Sequence, residues 1–396
     1  MSPQLIILFI AMAIGIQPIA TDLYLPALPD LTAGLGTTTA QAQLTLTALL
    51  LPFGISQLAW GPLSDRFGRR PILLAGLVLF SVGAIGCVFA QSIATLQAWR
   101  ALEGIGMGAA VMTGRAVVRD AFAPSEGARV MSKALAGLGV LSCLGPVVGG
   151  FLAEYAGWRW TLGSIAVFSC TLTLVVFLWF RETLPAERQS PFDFSTVAQH
   201  WRTVLRHPTF IACSLLMAMT YSGFVIFLIT TPFVFIEVLG LSRVQFGLAI
   251  LSNSFFFIVG TILCRWLLAH RGLRTTVAMG GALSLASGLL LAGQAWTNSA
   301  SIWTLVPAVW VYALGHGIHL ACSQSGAVAP FPRMAGVASA LNGCISMAVA
   351  FLVGGLVGKQ LEVSVSVMAY GVLLCCIPLA LVAWTLMQRH GELKPA

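Results

Sequence analysis

Long apolar blocks alternate with short polar breaks along the whole chain. Runs such as 72–86 and 162–180 are continuously apolar, the pattern of helices surrounded by lipid or by other helices. A barrel would instead alternate polar and apolar residues along strands of about ten residues. A spanning helix needs about 20 apolar residues. Cutting the chain at Gly/Pro-rich and charged breaks predicts spans near 5–28, 41–60, 71–90, 95–116, 131–153, 159–180, 209–235, 244–267, 275–295, 302–324, 337–358 and 364–387. The expected fold class is an all-α polytopic membrane protein with twelve transmembrane helices, and an even number of spans places both ends on one side. Ala11-Met12-Ala13 has the small residues of a leader-cleavage site, but no Lys or Arg precedes it and the apolar run continues past it. The first span is therefore expected to be retained.

The longest interruption, 181–208, is polar and basic and divides six spans from six. The chain is accordingly read as an amino-terminal bundle over 1–180, a cytoplasmic linker over 181–208 and a carboxyl-terminal bundle over 209–396. The halves echo one another. Arg66-Phe67-Gly68-Arg69-Arg70 after span 2 has a degraded counterpart in His270-Arg271-Gly272-Leu273-Arg274 after span 8, and Gly149-Gly150 of span 5 has one in Gly354-Gly355 of span 11. Internal duplication around a central site is a common plan of secondary transporters.

Composition sharpens this picture. Of 396 residues, 58% are hydrophobic and 9% charged, against about 25% charged in a soluble domain, so a large soluble catalytic domain is excluded. The 40 glycines suit close contacts between membrane helices. A formal charge of +8 does not indicate nucleic acid, because the basic residues are spread thinly between apolar blocks. Their placement instead reports topology. Arg66, Arg69, Arg70, Arg119, Arg129, Lys133, Arg181, Arg188, Arg202, Arg206, Arg271, Arg274, Arg333, Arg389 and Lys394 fall in one set of loops, and Arg159, Arg243 and Lys359 in the other. Lys and Arg accumulate on the cytoplasmic side, so both termini are expected in the cytoplasm of a cell inner (plasma) membrane. The nine cysteines lie in or beside apolar runs without metal-ligand spacing.

Three motifs carry chemistry. Gly61-Pro62-Leu63-Ser64-Asp65-Arg66-Phe67-Gly68-Arg69-Arg70 packs turn residues and charge into the link between spans 2 and 3, and its order resembles the signature loop of the major facilitator superfamily. In span 4, Arg100-Ala101-Leu102-Glu103-Gly104-Ile105-Gly106-Met107-Gly108 is similar to the second motif of that superfamily. An arginine at membrane depth costs a few kcal/mol or more unless it is paired or meets water. In span 5, Gly145-Pro146-Val147-Val148-Gly149-Gly150 resembles the antiporter-associated motif. Thr21–Pro29, Arg115–Asp120 and Ser222–Glu237 narrow the resemblance to the bicyclomycin/chloramphenicol-type (Bcr/CflA) drug:proton antiporters. It extends from Ile14 to about Ser346. There are three departures: Glu103 stands where that family usually has glutamine, Leu141 where glycine is frequent, and the repeat loop at 264–274 lacks the aspartate.

Depth singles out two charges. Asp22 lies about 10 Å in from the outer end of span 1, and Arg100 about 8 Å into span 4, at the usual helical rise. Opposite charges at matching depth can meet if the spans are neighbours, and the resemblance implies that the first and fourth helices of each half line a central cavity. Asp22, Arg100 and Glu103 are the expected proton-coupling residues: a carboxylate facing a cavity binds either a proton or an organic cation, so uptake of one expels the other. Glu103, three residues from Arg100 on the same helical face, competes for it. The plain alternative is a static ion pair bracing two helices.

Expected substrate contacts are Asp22, Tyr24, Met107, Tyr221, Phe224, His316 and His319. Aromatic rings suit flat lipophilic compounds, and His316, His319 and Ser323 share roughly one helical face. No HExxH motif or third ligand accompanies the histidines, so no metal is expected. Gly61, Asp65, Arg66, Gly68, Arg69, Arg70 and Asp120 form the expected conformational latch, in which Asp65, Arg66 and Arg70 join Asp120 in a charge cluster. The resemblance implies that this cluster holds the two halves outward-open. Gly145, Pro146, Gly149 and Gly150 form the antiporter-type element.

The function expected from these residues and this resemblance is proton-coupled multidrug efflux by alternating access, without a cofactor, by a monomer whose partners are protons, small lipophilic substrates and the lipid bilayer, and not nucleic acid. A proton-coupled carrier of one metabolite (a nucleoside, amino acid or sugar) remains the alternative. An enzyme is not expected, since neither G-x-S-x-G nor H-E-x-x-H occurs.

Overall fold

The structure is a computed structural model that describes residues 3–122, 124–184, 194–358 and 364–391. Arg188, Lys359 and Lys394 of the basic-loop pattern, and the middle of the 181–208 segment, lie outside the described residues. Two compact units divide the chain, Met1–Val197 and Ala198–Ala396. The first holds α1 (Pro3–Thr21), α2 (Leu28–Gly34), α3 (Thr39–Phe67), α4 (Arg69–Val88), α5 (Ile93–Ala121), α6 (Pro124–Tyr155) and α7 (Trp158–Trp179). After α8 (Phe194–Leu205), which contains the division, come α9 (Pro208–Pro232), α10 (Arg243–Trp296), α11 (Ile302–Val328), α12 (Ala335–Gly358), α13 (Val365–Trp384) and α14 (Leu386–His390). Among the described residues, eleven helices are long and apolar enough to cross a membrane.

The twelfth span is inside α10. This stretch of 54 residues is interrupted at Gly272, whose φ of 73° and ψ of 174° are not helical. Its arms match the expected spans at 244–267 and 275–295. Gly68 does the same work between α3 and α4, with φ 95° and ψ 163°. The two glycines occupy equivalent places in the repeated loop sequence, so the duplication visible in the residues is also a duplication of backbone conformation. Only glycine adopts this region readily.

The first span departs from the continuous helix expected over 5–28. α1 ends at Thr21, residues 22–24 form a turn, a 3-10 turn follows over Leu25–Ala27, and α2 resumes the direction. Pro26 and Pro29 account for the break, because proline lacks an N–H and disfavours helix in the residue before it. A second element was hidden in the segment expected to be a linker. Val197, Trp201 and Val204 recur at helical spacing in α8, and its remaining positions are largely polar, giving an amphipathic helix.

In the first unit α5 is central, packed against α3 on one side and α4 on the other, while α1 packs against α6 and α5. Glycine permits this approach. A side chain at Gly104 would strike the Leu49 carbonyl of α3, one at Gly106 the Gly76 carbonyl of α4, and one at Gly76 would strike Ala109. In the second unit α11 takes the same role against both arms of α10, with Gly260 facing Leu314 and Gly317 facing Phe257. Apolar side chains such as Val78, Val82, Phe177, Leu352 and Leu374 remain on the outside. This is the surface of a multi-pass membrane protein, for which lipid replaces water.

Alanine at either loop glycine should destabilise the protein by about 1–3 kcal/mol through backbone strain. Gly68→Ala should cost more than Gly272→Ala, because the Glu182 carboxylate occupies the space a Cβ would need at 68, whereas 272 faces open space. Denaturant unfolding of the detergent-solubilised variants measures the order, and equal losses would contradict it.

Candidate functional site: a divided charge cluster in the first unit

The break after Thr21 places Asp22 at the end of a helix rather than within one. Its carboxylate turns towards α6, where it accepts from the Ser142 hydroxyl at 2.6 Å; it also accepts from the Thr21 hydroxyl at 2.8 Å. The residue is 9% exposed. Two glycines of the span-5 motif make room for this arrangement: Gly145 lies beside the Asp22 Cβ, and a side chain at Gly149 would collide with the Leu23 carbonyl. Pro146 lies inside α6, and Gly150 is buried. Leu141 fills the place opened by Gly15 on α1, which is how the chain accommodates a leucine at that position.

Arg100 does not meet Asp22 as expected. It is wholly buried, and Nη1 donates to Glu103 Oε2 at 2.8 Å and to the Ala20 carbonyl at 3.0 Å. Its guanidinium carbon stands 3.9 Å above the Tyr24 ring, a cation–π contact, and the Tyr24 hydroxyl is tied to Thr45 at 2.8 Å. The guanidinium therefore grips residues 20 and 24, on either side of Asp22, while the aspartate carboxylate faces another helix. Glu103 wins the competition because it is one helical turn from Arg100 and because Gly83 on α4 leaves space for its side chain. Among the described residues, Arg100 Nε and Nη2 and Glu103 Oε1 are buried without hydrogen-bond partners. Each such group costs roughly 1–3 kcal/mol. Tyr24 and Met107, expected at a substrate surface, are both fully buried; Tyr24 supports the arginine in this conformation.

The loop cluster is also rearranged. Arg69, 2% exposed, binds Asp65 at 2.6 Å and Asp120 at 2.5 Å and donates to Ser64. It ties the ends of α3, α4 and α5 together, in place of the Arg66 and Arg70 expected there. The helical period explains this. Arg69, Leu73, Gly76 and Phe80 are buried and form one stripe of α4, the stripe along which Gly76 meets α5, whereas Arg70 lies about 100° round and donates to the Phe180 and Phe177 carbonyls at the end of α7. Arg66 lies over the Phe67 ring, 5.1 Å from its centre. Gly61 makes ordinary contact with Met112.

Glu182 was not anticipated from the sequence. Its carboxylate accepts the backbone N–H groups of Arg69, Arg70, Thr183 and Leu184 at 2.9–3.0 Å. It thus caps the start of α4 from the segment after α7. Partial burial pushes this carboxyl up, but the four N–H groups outweigh burial and hold it below its ordinary value of 4.5. Only its position at the end of a span would have hinted at this role.

In the second unit, His316 sits among rings: Phe224 stacks on it at 4.9 Å and Tyr312 at 6.0 Å, with Phe257 at 5.5 Å and Tyr221 at 6.2 Å. Its Nδ1 is 2.9 Å from the Thr220 hydroxyl, and the Tyr312 hydroxyl donates to the Thr220 carbonyl at 2.6 Å. Tyr312, which the sequence reading missed, is one turn from His316. His319 diverges from this cluster towards Gly280 on α10. Ser323 donates to the His319 carbonyl and to Met217 Sδ.

Residues 8–355 match the profile of the Major Facilitator Superfamily. The chain is 26% identical to multidrug resistance protein D of Escherichia coli, covering 98% of each chain. It is 24% identical to a bicyclomycin resistance protein homolog of Haemophilus influenzae, covering 95% of this chain and 94% of the other. Among solved structures it is similar to the xylose transporter XylE from E. coli, with a TM-score of 0.75, 14% identity, and coverage of 96% of this chain and 97% of that one.

Removing the cap with Glu182→Ala should speed hydrogen exchange at the Arg69 and Arg70 amides at neutral pH. The sign follows from the lowered carboxyl. Its stabilisation is present above the unfolded-state value and is lost as pH falls through the folded-state value, so wild type and variant should converge below pH 4.5. A difference that persists in acid would contradict the capping role.

Proposed function

The chain belongs to the major facilitator superfamily, and from that membership we propose that it is a proton-coupled exporter of lipophilic small molecules across a bacterial inner membrane. It is a multi-pass membrane transporter; the direction, the proton and the substrate are the proposed part. One observation carries it: a mostly buried carboxylate, Asp22, at a helix break, held by two neutral hydroxyls and by no cationic side chain among the described residues. Such a group exchanges one positive partner for another. A proton entering from outside neutralises it and releases a bound compound; loss of that proton inward restores its attraction. The similarity to relatives named for multidrug and bicyclomycin resistance supports export of foreign compounds.

The remaining residues have supporting parts in this scheme. Arg100 and Glu103 set the charge beside Asp22, and Tyr24 and Met107 flank them on the first and fourth spans. Phe224 and His316 offer stacked rings to a flat substrate in the second unit, with Tyr221 edge-on to Phe224 and His319 behind them. The Arg69 cluster is the latch that is made and released as access alternates. Here Arg69 is buried while Asp65 is half-exposed, an ion pair better suited to specifying a conformation than to adding net stability. The protonmotive force suffices as the energy source, since one charge crossing 100 mV is worth about 2.3 kcal/mol, and no cofactor is needed. Both termini are cytoplasmic and the working unit is a monomer.

Asp22→Asn should abolish pH-driven export in everted vesicles while the protein remains folded and inserted. The variant is isosteric, and its amide still accepts from Ser142 or Thr21. Near-normal export by this variant would remove Asp22 from the coupling step.

A further inference from the structure

We infer that Glu103 is a positioning residue that holds Arg100 away from Asp22, and that the site thereby selects lipophilic monocations as the species exchanged for a proton. This rests on the exchange reading above and names its substrate class.

Two acids and one base make up the cluster, and the geometry assigns the base to one acid. Arg100 gives Nη1 to Glu103 and to the Ala20 carbonyl, while Nε and Nη2 have no acceptor among the described residues. Among the described residues Asp22 is reached only by hydroxyl donors, Thr21 beside it and Ser142 on α6. Among the described residues the other titratable groups nearby bring no positive charge: Tyr24 in the turn, Cys143 on α6 and Cys87 on α4. With Arg100 neutralised by Glu103, the cluster carries one negative charge, and it sits on Asp22. A neutral or anionic ligand leaves that charge buried and unpaired, which is costly. A proton or a monovalent organic cation neutralises it, and the two exclude each other by charge.

The substitution Glu103→Gln would reverse this. A neutral amide cannot pair with the guanidinium as an ion, and the unfilled Nε and Nη2 would be free to turn to Asp22, whose flanking residues the arginine already touches. Asp22 would then carry its own counter-ion, and a cation would have to displace it. The span-4 glutamate is thus a determinant of specificity acting through the arginine, without touching the substrate itself.

The test uses purified full-length protein in liposomes and two probes: tetraphenylphosphonium, a permanent lipophilic cation, and chloramphenicol, which is uncharged. Equilibrium binding and movement under an imposed pH gradient are measured for wild type, Glu103→Gln and the double variant Arg100→Gln/Glu103→Gln. Wild type should bind the cation. Glu103→Gln should weaken cation binding by about tenfold or more, the scale of one hydrogen bond to a charged group, and leave binding of the uncharged probe equal or tighter, because Asp22 then has its own counter-ion. The double variant removes both charges, frees Asp22 again, and should recover the wild-type affinity for the cation. A bracing role would weaken both probes alike, and the double variant would not recover, so that result overturns the inference, as does unchanged cation binding in Glu103→Gln. Wild type that moves chloramphenicol but neither binds nor moves the cation also overturns it. The expected binding pattern without pH-driven movement of either probe would support the Glu103 assignment and overturn proton exchange instead.

Discussion

The close contact of α5 with α3 and α4 is the constraint on which the functional arrangement depends. Gly104, Gly106 and Gly76 bring three backbones together, and that proximity seals Arg100 and Glu103 from solvent. In a medium that solvates neither charge, an arginine must find its counter-charge within the chain. The nearest one is a turn away on its own helix. Had α4 carried a side chain at Gly83, the glutamate would have had no room, and the arginine would have needed another partner.

The break in the first span then separates the second carboxylate from this pair. Because α1 stops at Thr21, backbone carbonyl and ring surfaces on both sides of Asp22 are available to Arg100, while Asp22 itself turns to Ser142. The motif glycines of α6 have a direct purpose here. Gly149 lies against the Leu23 carbonyl and Gly145 beside Asp22, so the span-5 motif shapes the ground under the acidic residue. Irregular backbone at membrane depth is tolerated where surrounding protein buries it.

The loop between α3 and α4 obeys the same rule at the membrane edge. Gly68 reverses the chain, Glu182 satisfies the N–H groups left at the start of α4, and Arg69 gathers the charges of two neighbouring helices. At the matching Gly272 the space that Glu182 fills beside Gly68 is open. The two halves of the duplication thus share a turn while differing in the charges built around it.

Hydropathy, turn residues and charge order are properties of neighbouring residues, and so the helical class, the twelve spans, the repeat and the family resemblance were legible in the sequence. So was the rivalry of Glu103 for Arg100, which follows from a three-residue spacing. The outcome of that rivalry was not. It turned on contacts between residues far apart in the chain, Arg100 with Ala20 and Ser142 with Asp22, and on the rotation of each helix about its axis. Hydrophobic patterning specifies which residues enter the membrane, whereas rotation is decided by which glycines let which backbones approach. The same reason put Arg69 rather than Arg66 or Arg70 at the centre of its cluster, and brought Tyr312 and Thr220 to His316.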